Sequence, residues 1–249
     1  MRSFYRAGPT AAVRSGDVRA AVLVVCCLAA TAAADAPVGT IKGTVLFEGE
    51  APDRAVLDRK GDPFCAKQAD TATADDVVVT KGKLAGVLVR IKNGSAGTHA
   101  APTTPAIVDQ KGCAYAPHVI GIMAGQKISV RNSDGTFHNV KGTLKGKDLI
   151  NKMQGPKAAD IGIESKAAAD DVIELACGVH PWMHAYAVVQ DHPYFSVTGT
   201  DGVFSITGLA PGTYTLEAWH PTLGSKSMTV KVGVGPKATI SARFSYKPS

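Results

Sequence analysis

The sequence has no stripe of lysine and arginine interleaved with aromatic side chains. Its 249 residues carry 27 basic and 21 acidic side chains, and four of the arginines fall within the first twenty positions. Without residues 1–34, 23 basic and 20 acidic side chains remain, and they are scattered along the chain. Because nucleic-acid-binding proteins usually carry a concentrated basic patch, the sequence predicts no nucleic-acid partner.

Long apolar runs are absent after the N-terminal segment, so we expect no transmembrane segment in the mature chain. Near the N-terminus, arginines precede the run "AAVLVVCCLAATAAADA", which is too short to span a bilayer comfortably and ends in small residues. We interpret residues 1–34 as a signal peptide cleaved after Ala34. The alternative is a lipoprotein acylated at Cys26. The predicted location is therefore the periplasm or the exterior of a bacterial cell envelope.

Cysteine is scarce, and export makes it scarcer. Of five cysteines, two lie in the predicted signal peptide, which leaves Cys65, Cys113 and Cys177. An oxidising compartment favours pairing, and three cysteines allow one disulfide and one remaining thiol. That thiol is either a small buried side chain without chemistry or a functional group.

The sequence also lacks heptads, low-complexity tracts and solenoid repeats, and instead shows alternation of apolar and polar residues. The alternation recurs in "GTIKGTVLFEG", "AGVLVRIKNG" and "GTYTLEAWH", with glycine, proline, asparagine and aspartate between the runs. This pattern predicts an all-β protein built of antiparallel sandwiches. Residues 49–84 and 143–170 interrupt it, and we expect both to be loop-like, with one short helical turn in the second.

The stretch "IELACGVHPWMHAYAVV" places Cys177, His180 and Met183 within seven residues on the turn between two strand-like runs. A thiolate, an imidazole and a thioether suit copper, above all Cu(I). A second histidine is available in "ISVRNSDGTFHNVKG", where His138 follows a strand and a polar turn. Zinc uses similar ligands but more often adds a second Cys-x-x-Cys or a carboxylate, and none lies beside Cys177. A thiol nucleophile with a histidine base is the other alternative, but no oxyanion hole is suggested, so we expect a protein that is not an enzyme.

Together, "NSDGTFHNV" and "CGVHPWM" resemble the copper-binding loops of the cupredoxins, and the short Cys-x2-His-x2-Met loop is most similar to that of the amicyanins. The resemblance covers residues 105–190 and implies a Greek-key β-sandwich that binds one mononuclear copper ion. It implies four copper ligands and an asparagine that ties the two ligand loops together; the ligands are His138, Cys177, His180 and Met183, and the asparagine is Asn132. The implied function is single-electron transfer with a redox protein, such as a c-type cytochrome or a periplasmic oxidoreductase. Copper storage or delivery, and a cell-envelope module with a vestigial site, are the alternatives.

If Cys177 binds copper, Cys65 and Cys113 remain as the disulfide, which would stabilise the fold by roughly 3–4 kcal/mol. Two unpaired buried thiols are the alternative. We further expect the loop that carries His180 to be partly exposed, so that electrons leave through this imidazole. Pro181 and Trp182 would then form the apolar contact for a partner, in keeping with small redox interfaces; burial of Trp182 in the core is the alternative.

The C-terminal residues 191–249 resemble the carboxypeptidase regulatory-like, prealbumin-type sandwich domains, through "TDGVFSITGLAPGTYTLEA". That family is not catalytic. The block is short for a complete sandwich, and the strands within residues 35–104 resemble the missing ones. We therefore expect the cupredoxin domain, 105–190, to be inserted into a discontinuous sandwich; the alternative assigns the N-terminal strands to the cupredoxin. His192 and His220 each precede a proline and are candidates for a second metal site.

Overall fold

The computed structural model describes residues 38–69, 72–93 and 97–248. The predicted signal peptide, with Cys26 and Ala34, lies outside the described residues. Within them no helix has the length and apolarity to cross a membrane.

The all-β prediction is confirmed. The described residues contain a short helix α1, Pro63–Ala66, and a 3-10 helix, Gly235–Lys237. The strands are β1 Gly39–Phe47, β2 Val79–Thr80, β3 Lys83–Leu84, β4 Leu88–Asn93, β5 Ala106–Gln110, β6 Tyr115–Ala116, β7 Val119–Met123, β8 Ile128–Asn132, β9 His138–Leu144, β10 Lys147–Gln154, β11 Ile161–Ile163, β12 Val172–Ala176, β13 His184–Gln190, β14 Phe195–Val197, β15 Val203–Leu209, β16 Gly212–His220, β17 Gly224–Val232 and β18 Thr239–Tyr246.

Residues 105–190 form two sheets that share a core. One sheet has the strand order β10-β9-β12-β13-β7 and the other the order β11-β8-β5-β6. Alternating apolar side chains from both sheets bury themselves between the layers, among them Val108, Val130, Val140, Leu175 and Ala187. Since β9 and β12 are antiparallel neighbours, the start of β9 and the end of β12 lie at the same end of this sandwich. His138 and Cys177 occupy those two positions.

The other two sheets combine strands from both ends of the described chain. The first has β1 between β15 and β18, with β3 and β2 beyond the end of β1, and the second has the order β14-β4-β16-β17. Burial follows the alternation of the sequence: in β16, Tyr214, Leu216 and Ala218 face a core that also holds Ile41 and Val45 of β1. Strands within residues 39–93 are therefore hydrogen-bonded to strands within residues 195–246.

A third apolar cluster lies between the sandwich of residues 105–190 and the other two sheets. Leu88 of β4, Val119 of β7 and Val188 of β13 are buried together, with Trp219 packed against them. Beside this cluster the buried guanidinium of Arg90 pairs with Glu217 at 2.6 Å. The burial of this charge is acceptable because it is paired and hydrogen-bonded.

One of the two expectations about irregular segments is wrong. Residues 147–154 and 161–163 form β10 and β11 rather than a loop with a helical turn. The lysines and small residues of this region concealed the alternation, because β10 is an edge strand whose side chains are largely exposed. Residues 49–84 are mostly irregular but also contain α1, β2 and β3.

The structure contains a disulfide between Cys65 and Cys113, with a Cα–Cα distance of 5.6 Å and a sequence separation of 48. Cys177 is a free and buried thiol. The bridge fastens the segment that carries α1 to the end of the sandwich at which His138 and Cys177 lie.

Candidate metal centre

Three ligand atoms converge at this end of the sandwich. The Nδ1 atoms of His138 and His180 are 3.0 Å apart, and the Sγ of Cys177 lies 3.9 Å from the first and 3.7 Å from the second. All three side chains are buried, with exposed fractions of 0% to 4%. Two imidazoles and one thiolate are the ligands of trigonal copper sites.

The triangle has the right size for a metal ion. A point in its plane is about 2.1 Å from each of the three atoms, within the range of metal–nitrogen distances and slightly short for metal–sulfur bonds. Met183, the predicted axial ligand, is 1% exposed and belongs to the same core cluster as Cys177. The residues therefore fit one copper ion.

Backbone hydrogen bonds fix the loop that carries two of the ligands. The N–H of Cys177 donates to the carbonyl of Met183, and the N–H of Met183 donates to the carbonyl of His180. This folds residues 177–183 into a tight turn between β12 and β13. The turn directs the thiol and the imidazole to the same point.

Asn139, and not Asn132, ties the two ligand loops together. The backbone N–H of Asn139 donates to the Sγ of Cys177, and its side-chain oxygen accepts from the N–H of Gly178. A Cβ at Gly178 would lie 2.9 Å from that oxygen, so the approach requires glycine. The prediction for Asn132 is wrong: its amide donates to carbonyls of residues 136, 154 and 155 and so joins the loop before His138 to the end of β10, not to the loop of Cys177.

Each histidine is held by an aspartate through its other ring nitrogen. The Nε2 of His138 lies 2.9 Å from Asp134 Oδ2, and the Nε2 of His180 lies 3.1 Å from Asp62 Oδ2. Because a carboxylate accepts a hydrogen bond, the proton of each neutral ring is on Nε2 and its lone pair is on Nδ1, toward the centre. Carboxylates in this position orient metal-binding imidazoles and increase their basicity.

The same aspartates hold the two cysteines of the disulfide. Asp62 is the N-cap of α1 and accepts the N–H of Cys65, while Asp134 accepts the N–H of Cys113. Each carboxylate thus joins one histidine to one half of the disulfide. "GDPFC" carries the local signal for Asp62, an aspartate before a proline at the first helical position. Nothing local places it beside His180, from which 118 positions separate it.

His180 is covered by the segment that carries α1, which we call the lid segment (residues 58–67). Besides the contact with Asp62, Cys65 Sγ lies 3.7 Å from His180 Nε2, and the ring of His180 is 2% exposed. The loop is partly exposed, as expected, at residues 178, 179 and 181, but the imidazole that was expected to pass electrons to a partner is buried. The sequence offered no sign that a distant, polar segment folds over the loop.

Pro181 and Trp182, the two residues predicted to contact a redox partner, differ in exposure. Pro181 is exposed, whereas Trp182 is partly buried against the core, and its indole N–H donates to the carbonyl of Cys113. The guanidinium of Arg59, in the lid segment, lies 5.7 Å from the centre of the Trp182 ring. Trp182 therefore packs under the lid segment.

Hydrogen bonding within the cluster opposes the effect of burial. Burial alone would lower the pKa of His138, but Asp134 and the thiol of Cys177 raise it to about 9. Burial would raise the pKa of Cys177, but hydrogen bonds from His138 and from backbone N–H groups lower it. Burial lowers the pKa of His180, and the positive charge of the nearby His138 also lowers it. The cluster therefore favours a thiolate at Cys177.

The remaining histidines lie outside the cluster. His192 and His220 are buried, and each accepts backbone N–H groups at Nδ1. Among the described residues the ligand groups that could hold a metal ion do not include either of them. His184 Nε2 contacts the carbonyl of Pro181.

No protein-family model matches the chain, and no curated protein matches it either. Among solved structures, a purple cupredoxin from Nitrosopumilus maritimus matches with 21% identity over 34% of this chain and 99% of its own, with a TM-score of 0.28. A mutant of amicyanin in its Cu(I) form and another in its oxidised state each match with 20% identity over 41% of this chain and 98% of their own, with a TM-score of 0.31. These are partial likenesses in fold.

Proposed function

We propose that the chain is a mononuclear copper protein that carries single electrons outside the cytoplasm. The observation that supports this most directly is the buried triangle formed by His138 Nδ1, His180 Nδ1 and Cys177 Sγ. Bound copper would supply a centre that gains and loses one electron. A disulfide in the same chain suits an oxidising compartment, which supports a periplasmic or secreted location.

The residues of the chain keep the ligand atoms in place when the charge of the centre changes. Asp134 and Asp62 fix the tautomers of the two imidazoles, and Asn139 donates a backbone hydrogen bond to the thiolate of Cys177. Burial and these fixed partners limit the movement of the ligands. Small movement favours rapid electron transfer, because little structure has to reorganise.

The test is the optical spectrum of the copper-loaded protein. We expect strong colour from charge transfer between thiolate and copper, which Cys177→Ser abolishes. Met183→Leu keeps copper and raises the reduction potential, since the axial ligand tunes it. His184→Gln is the matched control, because the ring of this neighbouring histidine hydrogen-bonds to the carbonyl of Pro181 and not to a ligand atom; its loss should leave the colour unchanged. A colourless protein at full copper occupancy contradicts the proposal.

Copper storage or delivery is the second candidate, and the burial of His180 favours it. The lid segment covers the imidazole edge that a protein redox partner would approach. A carrier transfers electrons to a c-type cytochrome or another periplasmic oxidoreductase without losing copper. A storage or delivery protein instead transfers the ion itself. Stopped-flow oxidation by cytochrome c, with copper content measured before and after, distinguishes the two.

A further inference from the structure

The disulfide lies against the proposed copper centre rather than at a distance from it. Cys65 Sγ is 3.7 Å from His180 Nε2, and two further groups of potential ligands include its sulfurs. Asp62, Cys65 and His180 form one group, and Cys113, Asp134 and His138 form the other. The bridge therefore connects the outer sides of the two histidines.

We propose that Cys65 and Cys113, once reduced, form a second metal site that binds one Cu(I) ion. This site is distinct from the triangle around Cys177 and does not require it. Two thiolates are soft ligands that select Cu(I) and can hold it in two-coordinate geometry. Zinc is less suited, because structural zinc sites take four ligands, and the carboxylates and imidazoles beside the two cysteines already hydrogen-bond to each other.

The protein holds the two cysteines together by contacts that do not involve the disulfide bond. Asp62 accepts the N–H of Cys65, and Asp134 accepts the N–H of Cys113 at 2.8 Å. Trp182 donates to the carbonyl of Cys113, and Arg59 donates to the carbonyl of Gly112. After reduction the Cα atoms can therefore stay near their separation of 5.6 Å, and rotation about the Cα–Cβ bonds lets the sulfurs move apart around an ion.

A cavity beside the disulfide is the route by which a reductant would approach this pair. Its volume is about 410 Å³, and it is lined by residues of the lid segment that include Arg59, Lys60, Cys65 and Ala66. Its wall carries two cationic side chains, Arg59 and Lys60, and one carboxylate, Asp58, and the excess of positive charge favours the approach of an anionic nucleophile such as a thiolate. Cys65 is the half of the disulfide that lines this cavity.

Reduction by a dithiol follows ordinary thiol–disulfide exchange. One thiolate of the dithiol attacks Cys65 Sγ, the bond between Cys65 and Cys113 breaks, and Cys113 leaves as a thiolate. The second thiol of the dithiol, as its thiolate, attacks the mixed disulfide and releases Cys65 as a thiolate. The protein disulfide gains two electrons, and the dithiol is oxidised to its own disulfide.

The experiment measures how many Cu(I) ions the protein retains against bathocuproine disulfonate. The full mature chain is treated with a phosphine reductant, desalted without oxygen and titrated with Cu(I). Wild type should retain one ion with the disulfide intact and two after reduction. Cys177→Ser should retain none when oxidised and one when reduced. If this reduced variant is first alkylated with iodoacetamide, which then modifies only Cys65 and Cys113, it should retain none.

Two results would overturn the second site. One is reduced Cys177→Ser that retains no Cu(I), or that retains it after alkylation. The other is loss of the native circular dichroism on reduction, since the site depends on the folded arrangement of the two loops. The proposed electron-carrier function fails separately, if oxidised wild type binds no copper or gives no colour.

Discussion

Asp134 connects parts of the metal centre that lie far apart in the sequence. Its two oxygens accept the N–H groups of Gly112 and Cys113 and contact the imidazole of His138. The side chain is 3% exposed, so water cannot replace a lost partner. Hydrogen bonding by His138 and by the backbone lowers the pKa of Asp134 despite its burial, and the group is therefore a carboxylate at neutral pH.

We expect Asp134→Asn to weaken both the fold and the site. The asparagine side chain has one acceptor oxygen, and its NH2 group would face a partner that is itself a donor. The lost hydrogen bonding should cost about 1–3 kcal/mol of unfolding free energy. Copper affinity should fall by about 10–100-fold, as for other groups that orient metal-bound imidazoles. Urea unfolding and chelator competition measure the two effects. Asp160→Asn is the control, because that carboxylate lies on the surface and pairs with Arg131; equal effects in both variants would contradict the role of Asp134.

His220 gives the second prediction at this scale, for pH dependence. The ring is 2% exposed, and its Nδ1 accepts the N–H groups of Thr222 and Leu223. Burial, with a smaller effect from the charge of His118, lowers its pKa to about 4. Since the unfolded value is about 6.5, the unfolded chain binds the proton more tightly. Stability is therefore fully present above pH 6.5 and decreases as the pH falls toward 4.

His220→Asn should remove this dependence, because the amide oxygen can accept the same N–H groups without titrating. Between pH 7 and pH 5, the unfolding free energy of wild type should fall by about 2 kcal/mol more than that of the variant. Urea unfolding of the disulfide-intact protein at both pH values measures the difference. Comparison with the variant cancels the contributions of other groups. An equal fall in both proteins would mean that His220 is not the group that titrates.

Among the elements, the lid segment is the one whose position could not be predicted from the sequence. The strands of the sandwich that holds the centre could be predicted because alternation is a local signal, and the ligand turn could be predicted because Cys177, His180 and Met183 are close in sequence. The lid segment is held by contacts between distant positions: Asp62 with His180, and Phe64 with Gly135, where a Cβ would lie 2.8 Å from the ring. Neither contact could be predicted from the composition of residues 49–84.

The hydroxyl of Thr136 fastens the lid segment to the loop before His138, because it donates to Asp62 Oδ2 at 2.8 Å. Thr136→Val keeps the shape of the side chain and removes this donor. We expect a loss of about 1–2 kcal/mol in unfolding free energy and a faster loss of bound copper to a chelator, with the colour unchanged. Thr143→Val, on β9 beyond the lid segment, is the control. An unchanged rate of copper loss would show that the lid segment does not limit access.

In the whole molecule, the second pair of sheets depends on strands from both ends of the described chain. The strands β15 and β18 both pair with β1, and β14 and β16 both pair with β4. Among the described residues 191–248, β16 and β17 are the strands that form a hydrogen-bonded pair with each other. This segment alone therefore leaves most of its strand edges unpaired, and its apolar side chains lose the partners that β1 and β4 supply, such as Ile41, Val45 and Val89.

We expect the isolated fragment 191–249 to be unfolded or to aggregate, since unpaired edges and exposed apolar faces both promote association. Fragment 105–190 should fold, because among the described residues Cys65 is the one buried member of its core cluster that comes from outside the fragment. It lacks Asp62 and the disulfide, however, so its affinity for copper should be lower than that of the full chain. Dispersion of amide resonances in NMR spectra and copper titrations test both statements. If 191–249 alone gave a well-dispersed spectrum, β1 and β4 would not be required to complete the second sandwich, and the two ends of the chain would fold independently.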